Sequence, residues 1–172
     1  MATGPLTKDT STIQLGLAQV RVGASAANIT SLAPALTATN SIGALANTKF
    51  TSKVDFWKLE SGFPLNEDTS IPIRESCSLE CAFKEVTPMN LAFARGIDAS
   101  SGYTLVHSGE VGLGNLTTPA FLRMEAVYTY PNGTSFMTII FPRAQVSSGI
   151  EIDMKTEDAV AIPVTFESKR AD

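Results

Sequence analysis

Hydrophobic and polar residues alternate over several stretches of this chain, most regularly from Ser70 to Val86. There Ile71, Ile73, Cys77, Leu79, Cys81 and Phe83 share one face of an extended strand, while Arg74, Ser76, Ser78, Glu80 and Lys84 share the other. This pattern predicts a strand with one buried and one wet face. Similar alternation predicts strands over Phe121–Tyr130 and Ser135–Phe141, and the Tyr130-Pro131-Asn132-Gly133-Thr134 segment between them carries the Asn-Gly pair that a tight hairpin demands. Ile150, Ile152 and Met154 alternate with Glu151, Asp153 and Lys155, predicting a strand over Gly149–Lys155, and a last one closes the chain within Ala159–Glu167.

The N-terminal half is less regular. Ile13, Leu15 and Leu17 lie on one face of a strand over Thr12–Val22 and Val20 and Val22 on the other, a phase change that a bulge near Gly16 to Gln19 explains. From Gly23 to Asn47 the chain is rich in Ala, Ser, Thr and Asn, which predicts a long loop with at most a short helical turn. Phe50, Val54, Phe56, Trp57 and Leu59 make Lys49–Ser61 strand-like up to the breaker Gly62-Phe63-Pro64, so this stretch and its return form a long hairpin or extended loop. Thr87-Pro88 supplies an N-cap and a first-turn proline for a helix of two to three turns ending at Gly96. Tyr103–Val106 and Glu110–Leu113 are short strand candidates. The expected fold is mainly β: an antiparallel β-sandwich or flattened barrel with one short flanking α-helix and a long projecting loop or hairpin.

Composition narrows the function. The 172 residues fit a single domain over 1–172, and 44% apolar against 17% charged residues leaves apolar surface for an interface. A net charge of −4 argues against a grip on phosphate backbones. The sequence predicts neither a membrane span nor a secretory leader, since no apolar run reaches 18 residues and the first ten lack a basic flank.

Chemistry is sparse. Along a strand Cys77 and Cys81 are about 13 Å apart at about 3.3 Å per residue, beyond the roughly 7 Å a disulfide tolerates, so both are expected as buried free thiols in a reducing cytoplasm. The lone His107 has no partner for a triad or a metal site. Glu60, Glu67, Asp68 and Glu75 read as a solvated acidic face rather than an acid–base pair. Gly109, Gly112 and Gly114 read as turn and bulge glycines, and the Asn28, Asn115 and Asn132 sequons as accidents of a Ser- and Thr-rich chain. The expectation is no catalytic, cofactor-binding or metal site, and no enzyme. Trp57, beside Phe56 and ahead of Leu59, Phe63 and Leu65, is either a corner of the core or an anchor for a neighbouring subunit.

Four features together resemble the bacteriophage tail tube proteins. These are the Ser70–Val86 strand running into the Thr87-Pro88 helix, the Pro131-Asn132-Gly133 hairpin, Phe141-Pro142-Arg143-Ala144-Gln145-Val146, and the closing run from Glu157 to Glu167. The likeness covers about the last hundred residues and the long loop before them, and it rests on arrangement rather than an invariant motif. It implies a virion structural protein, two packed sheets flanked by a helix, forming hexameric rings that stack into a tube through which the genome is ejected. It also implies that 46–70 is the long loop or hairpin between rings, with Phe56, Trp57, Leu59, Phe63 and Leu65 at a subunit interface. Residues 1–10 would be a flexible arm that orders on stacking. Ser76, Ser78 and Glu80 would line a DNA-repelling lumen. The implied partners are copies of itself and other tail proteins such as a terminator, baseplate or sheath, with DNA passing unbound and no membrane involved; assembly would occur in the bacterial cytoplasm. The Ala- and Thr-rich segment from Ala24 to Asn47 has no counterpart in that pattern. A capsid-decorating or other virion binding module is the alternative, and a small hydrolase using the acidic loop ranks after both.

Overall fold

The computed structural model describes residues 16, 18–24, 34–63, 66–97, 118–152, 154 and 159–170. Their elements are β1 (Gln19–Ala24), β2 (Leu45–Ser61), β3 (Asn66–Phe83), α1 (Pro88–Ala94), β4 (Leu122–Thr129), β5 (Phe136–Val146) and β6 (Ile162–Ser168), with a 3-10 turn at Ala38–Asn40. All six strands join into one antiparallel sheet in the order β1-β4-β5-β6-β3-β2.

That sheet folds over on itself. The rings of Phe50 in β2 and Phe141 in β5 have centroids 6.3 Å apart, although β6 and β3 lie between their strands; three flat strand spacings would separate them by roughly 14 Å. The fold line is β5, which pairs with β4 from Phe136 to Ala144 but with β6 only through Ala144, Gln145 and Val146. One half, β1-β4-β5, therefore faces the other, β6-β3-β2. Between them lies a core that includes Val20, Leu79, Phe83, Met124, Ile162 and Phe166, each fully buried large apolar side chain contributing about 1.5–3 kcal/mol. The architecture is a flattened, open-edged sandwich, and the sheet does not close into a barrel.

The segment 41–44 stitches the open side. Ser41 bridges Arg21, the Ile42 N–H donates to the Val20 carbonyl at 3.0 Å, and the Lys84 N–H donates to the Ala44 carbonyl at 2.7 Å. Helix α1 covers this seam, the Asn90 amide donating to the carbonyls of Ile42 (2.9 Å) and Glu85 (2.8 Å) while Phe93 and Ala94 enter the core. The sequence signals for α1 operate as expected. The Thr87 hydroxyl accepts from the Asn90 N–H at 3.1 Å, Pro88 takes the first turn, and Gly96 ends the helix at φ +75°. A side chain at Gly96 would also strike Pro119, 2.6 Å from the position of its Cβ.

Several expectations need correction. The strand expected over Ser70–Val86 is β3, ending at Phe83, and its inward face is buried only at Leu79, Cys81 and Phe83; Ile71 and Ile73, on the part of β3 that extends past its last pairing with β6 at Ser78 and has no opposing layer, are exposed. Cys81 is buried but Cys77 only half-buried, its thiol 3.6 Å from the Ser52 hydroxyl. Around Gly149–Lys155 the described residues form no strand: Ile150 packs against the core, whereas Ile152 and Met154 are exposed. The Asn132-Gly133 turn is wider than a two-residue hairpin, with the Tyr130 N–H donating to the Ser135 carbonyl and the Asn132 side-chain carbonyl accepting from Thr134 and Ser135. Of the strand expected over Thr12–Val22, the described part is β1, which runs on to Ala24, while residues 12–15 and 17 lie outside the described residues; the strand after the turn extends to Val146. Within the segment read as a long loop, β2 already begins at Leu45. The arm at 1–10, the strands at Tyr103–Val106 and Glu110–Leu113, the glycines 109, 112 and 114, His107, Leu65, Asn28 and Asn115 lie outside the described residues.

Candidate functional site

Strand β3 has β6 as a neighbour only from Ser78 to Phe83. Beyond that point Ser52–Ser61 and Asn66–Cys77 have only each other as ladder partners, forming a two-stranded ribbon about 40 Å long at ~3.3 Å per residue. Its position matches the projecting loop expected around 46–70, and its ladder, shifted in register at Asp55/Phe56 and Leu59/Glu60, makes it a hairpin.

Cross-strand partners share a face of a ladder. Phe56 stands opposite Pro72, Trp57 opposite Ile71 and Leu59 opposite Thr69, after a register shift between Asp55 and Phe56. Phe56 and Pro72 therefore occupy one face and Trp57, Leu59 and Ile71 the other. Trp57 is 49% exposed and Ile73 67%, and Phe56, Leu59 and the tip residue Phe63 are exposed as well. An isolated two-stranded ribbon is marginally stable in water, and an outer edge like that of β2 invites pairing with another chain. Of the five residues expected at an interface, the structure brings Phe56, Trp57, Leu59 and Phe63 together on the ribbon, and none of these four is a core residue.

The ribbon's charges are unevenly spread. Near the tip Glu60 is directly opposite Glu67, with Asp68 beside it, and among the described residues Lys58 answers them, through a salt bridge to Glu67 that holds the Lys58 ammonium above its ordinary range. Nearer the body Lys53 bonds Asp55 at 2.9 Å and lowers that carboxyl's pKa. At the root, where β6 ends, an open groove of about 420 Å³ is lined by Lys53, Arg74, Lys169 and Arg170 together with Glu75, Glu167 and small polar residues. Glu167 is held below its usual range by hydrogen bonds from Lys169 and then Ser147.

The residues expected to line a lumen, Ser76, Ser78 and Glu80, sit on the outer face of β3 opposite Lys53, Thr51 and Lys49. Ser76 and Glu80 are exposed and Ser78 half-buried; Glu80 approaches Lys49 at 3.5 Å. This face mixes both signs of charge.

On the outer face of β4 lies a pair that the sequence reading missed. Arg123 Nε donates to Glu125 Oε1 at 2.7 Å, and the carboxylate also accepts from the Ala35 and Leu36 backbone N–H groups at 2.8 and 3.1 Å. Glu125 has no exposed surface. The only signal was two charges, at 123 and 125, inside an apolar strand. Burial alone would raise the pKa of Glu125, but donation from Ala35, Arg123 and Leu36 outweighs it and leaves the carboxyl below its ordinary value. The pair fastens the segment 34–37 over the sheet, where the Arg21 guanidinium also donates to the Leu36 carbonyl at 2.9 Å.

Among the described residues no three His, Cys, Asp or Glu side chains are grouped to hold a metal ion. Burial pushes the Cys81 thiol up to about 12, far from the range of a reactive thiolate. None of the described helices is long and apolar enough to cross a membrane. No protein-family model matches the chain, and no curated protein matches it significantly.

Proposed function

We propose that this chain is a structural subunit that polymerises, a tail tube protein of a bacteriophage whose hexameric rings stack around a channel for genome passage. One observation carries this reading: a ribbon about 40 Å long that bares aromatic and aliphatic side chains on both faces and has no layer of its own to cover them. Exposed apolar surface of this extent on a hairpin that cannot stand alone favours burial against neighbours. The open-edged sandwich with one flanking helix accords with the fold that the family resemblance implies. A net charge of −4 per copy suits a conduit that conducts DNA without holding it. Terminator, baseplate or sheath proteins are the further partners of such a tube, and the virion is its place.

Electron microscopy and sedimentation of the purified protein at rising concentration test the reading. Rings and then tubes are expected. Separate globular particles that attach to capsids would favour the decorating-module alternative, and a strictly monomeric protein at high concentration would remove the proposal.

A further inference from the structure

We propose that the tip of the ribbon of one copy docks in the cationic groove at the root of the ribbon of another, so that this charge complementarity connects successive layers of the assembly. The inference rests on the tube reading and names the contact within it.

Both halves of the contact belong to the same ribbon. The groove lining carries four cations, Lys53, Arg74, Lys169 and Arg170, against the two carboxylates Glu75 and Glu167. Asp55, bonded to Lys53 from beside the groove, offsets part of that excess. Four cations then stand against three carboxylates, with Lys53 and Lys169 in ion pairs, which makes the groove richer in basic groups than a chain whose net charge is −4. The tip has the opposite balance: Glu60, Glu67 and Asp68 against Lys58. Glu60 and Glu67 face each other directly across the ladder, an arrangement that destabilises an isolated hairpin. A cationic surface brought up to the tip relieves that repulsion, so the unfavourable pair in the free chain becomes favourable in the assembled one.

Geometry sets what such a contact builds. Tip and groove are different patches at opposite ends of a ribbon about 40 Å long, so the contact is heterologous. Each copy that offers its tip leaves its groove open for another, and the series closes only by rotation; a translation along the ribbon generates an open filament. A self-complementary patch would instead stop at a dimer.

Two charge-reversed chains test this. Glu60→Lys with Asp68→Lys reverses the tip while preserving the Lys58–Glu67 bridge. Lys53→Glu with Arg74→Glu reverses the groove. Each alone is expected to raise the concentration needed for tube formation at least about tenfold, since like charges then meet at every layer. A one-to-one mixture is expected to recover tubes, because each reversed tip finds a groove of opposite sign. Thermal unfolding of each variant checks folding. If the reversed groove does not fold, Lys53→Gln with Arg74→Gln replaces it and is expected to flatten the salt dependence of assembly. Folded variants that polymerise like the unmodified chain, a mixture that stays unassembled, or an unchanged salt dependence would overturn the inference while leaving the tube reading in place. Unmodified protein that forms neither rings nor tubes overturns both.

Discussion

At the scale of single residues, the most consequential group in the body is the buried Arg123–Glu125 pair. Two charges taken out of water are tolerable only with every hydrogen bond satisfied, and the Ala35 and Leu36 N–H groups complete the carboxylate's shell. Glu125→Gln removes the buried carboxylate on which the Arg123 guanidinium and the Ala35 and Leu36 N–H groups converge and is expected to cost about 3–5 kcal/mol, seen as a lower midpoint in denaturant. The pH dependence follows from the same donors. Because the folded carboxyl titrates below its ordinary value of 4.5, the unfolded chain takes up this proton first as pH falls. Its contribution is therefore full above about pH 5.5, a unit above the unfolded value, and declines as pH drops toward the lowered folded pKa. Glu125→Gln should flatten this part of the acid unfolding profile, and a profile unchanged in shape would count against the assignment. Thr138 offers the opposite case, since its hydroxyl is buried with no hydrogen-bond partner. Thr138→Val should raise stability by about 1 kcal/mol, measured by thermal unfolding.

At the scale of elements, β2 and β3 divide into a part that belongs to the sheet and a part that leaves it. Trp57 is on the departing part, so Trp57→Ala should alter the folding free energy of the isolated subunit by less than about 0.5 kcal/mol, yet weaken assembly by about 2 kcal/mol or more if it anchors a neighbour. A lowered melting temperature with unchanged tube length would reverse that reading. The same division explains what was legible in the sequence. Strand identity was: the alternation of Leu79, Cys81 and Phe83, the Thr87-Pro88 start of α1 and the strands either side of Asn132-Gly133 all occupy the elements their patterns predict. Where an alternating strand loses its cover was not. Ile71 and Ile73 continue the apolar series of β3, but they lie on the part that runs out past β6 and face water. Alternation registers which residues share a face and carries no information about whether a second layer exists there. The Arg123–Glu125 pair was hidden for a related reason, because its backbone partners at Ala35 and Leu36 are some 90 residues away in sequence.

At the scale of the whole molecule, the core and the surface proposed for assembly fall in separate regions. The core lies between the two halves of the folded sheet, and none of its buried residues comes from Thr51–Ser61 or from the ribbon part of β3 before Cys77. Lys53 and Ser76 are cross-strand partners near the root, so replacing Val54–Glu75 with Asn-Gly would close the hairpin there with a two-residue turn suited to the twist of its strands. Because the excised residues contribute little to the core, the shortened chain should unfold cooperatively within a few degrees of the intact protein. Shortening a connection also reduces the entropic cost of closing it, by a modest amount for a loop of this size. What the chain loses is the apolar ribbon, the acidic tip and Arg74 of the groove, so the tip-to-groove contact proposed between layers has no tip to form it. If the intact chain polymerises as proposed, analytical ultracentrifugation should show the shortened chain as a folded species arrested at the single subunit or single ring at the same concentrations. A shortened chain that still builds tubes would move the assembly surface from the ribbon to the body of the sandwich, and one that fails to fold would show that the ribbon stabilises the subunit on its own account.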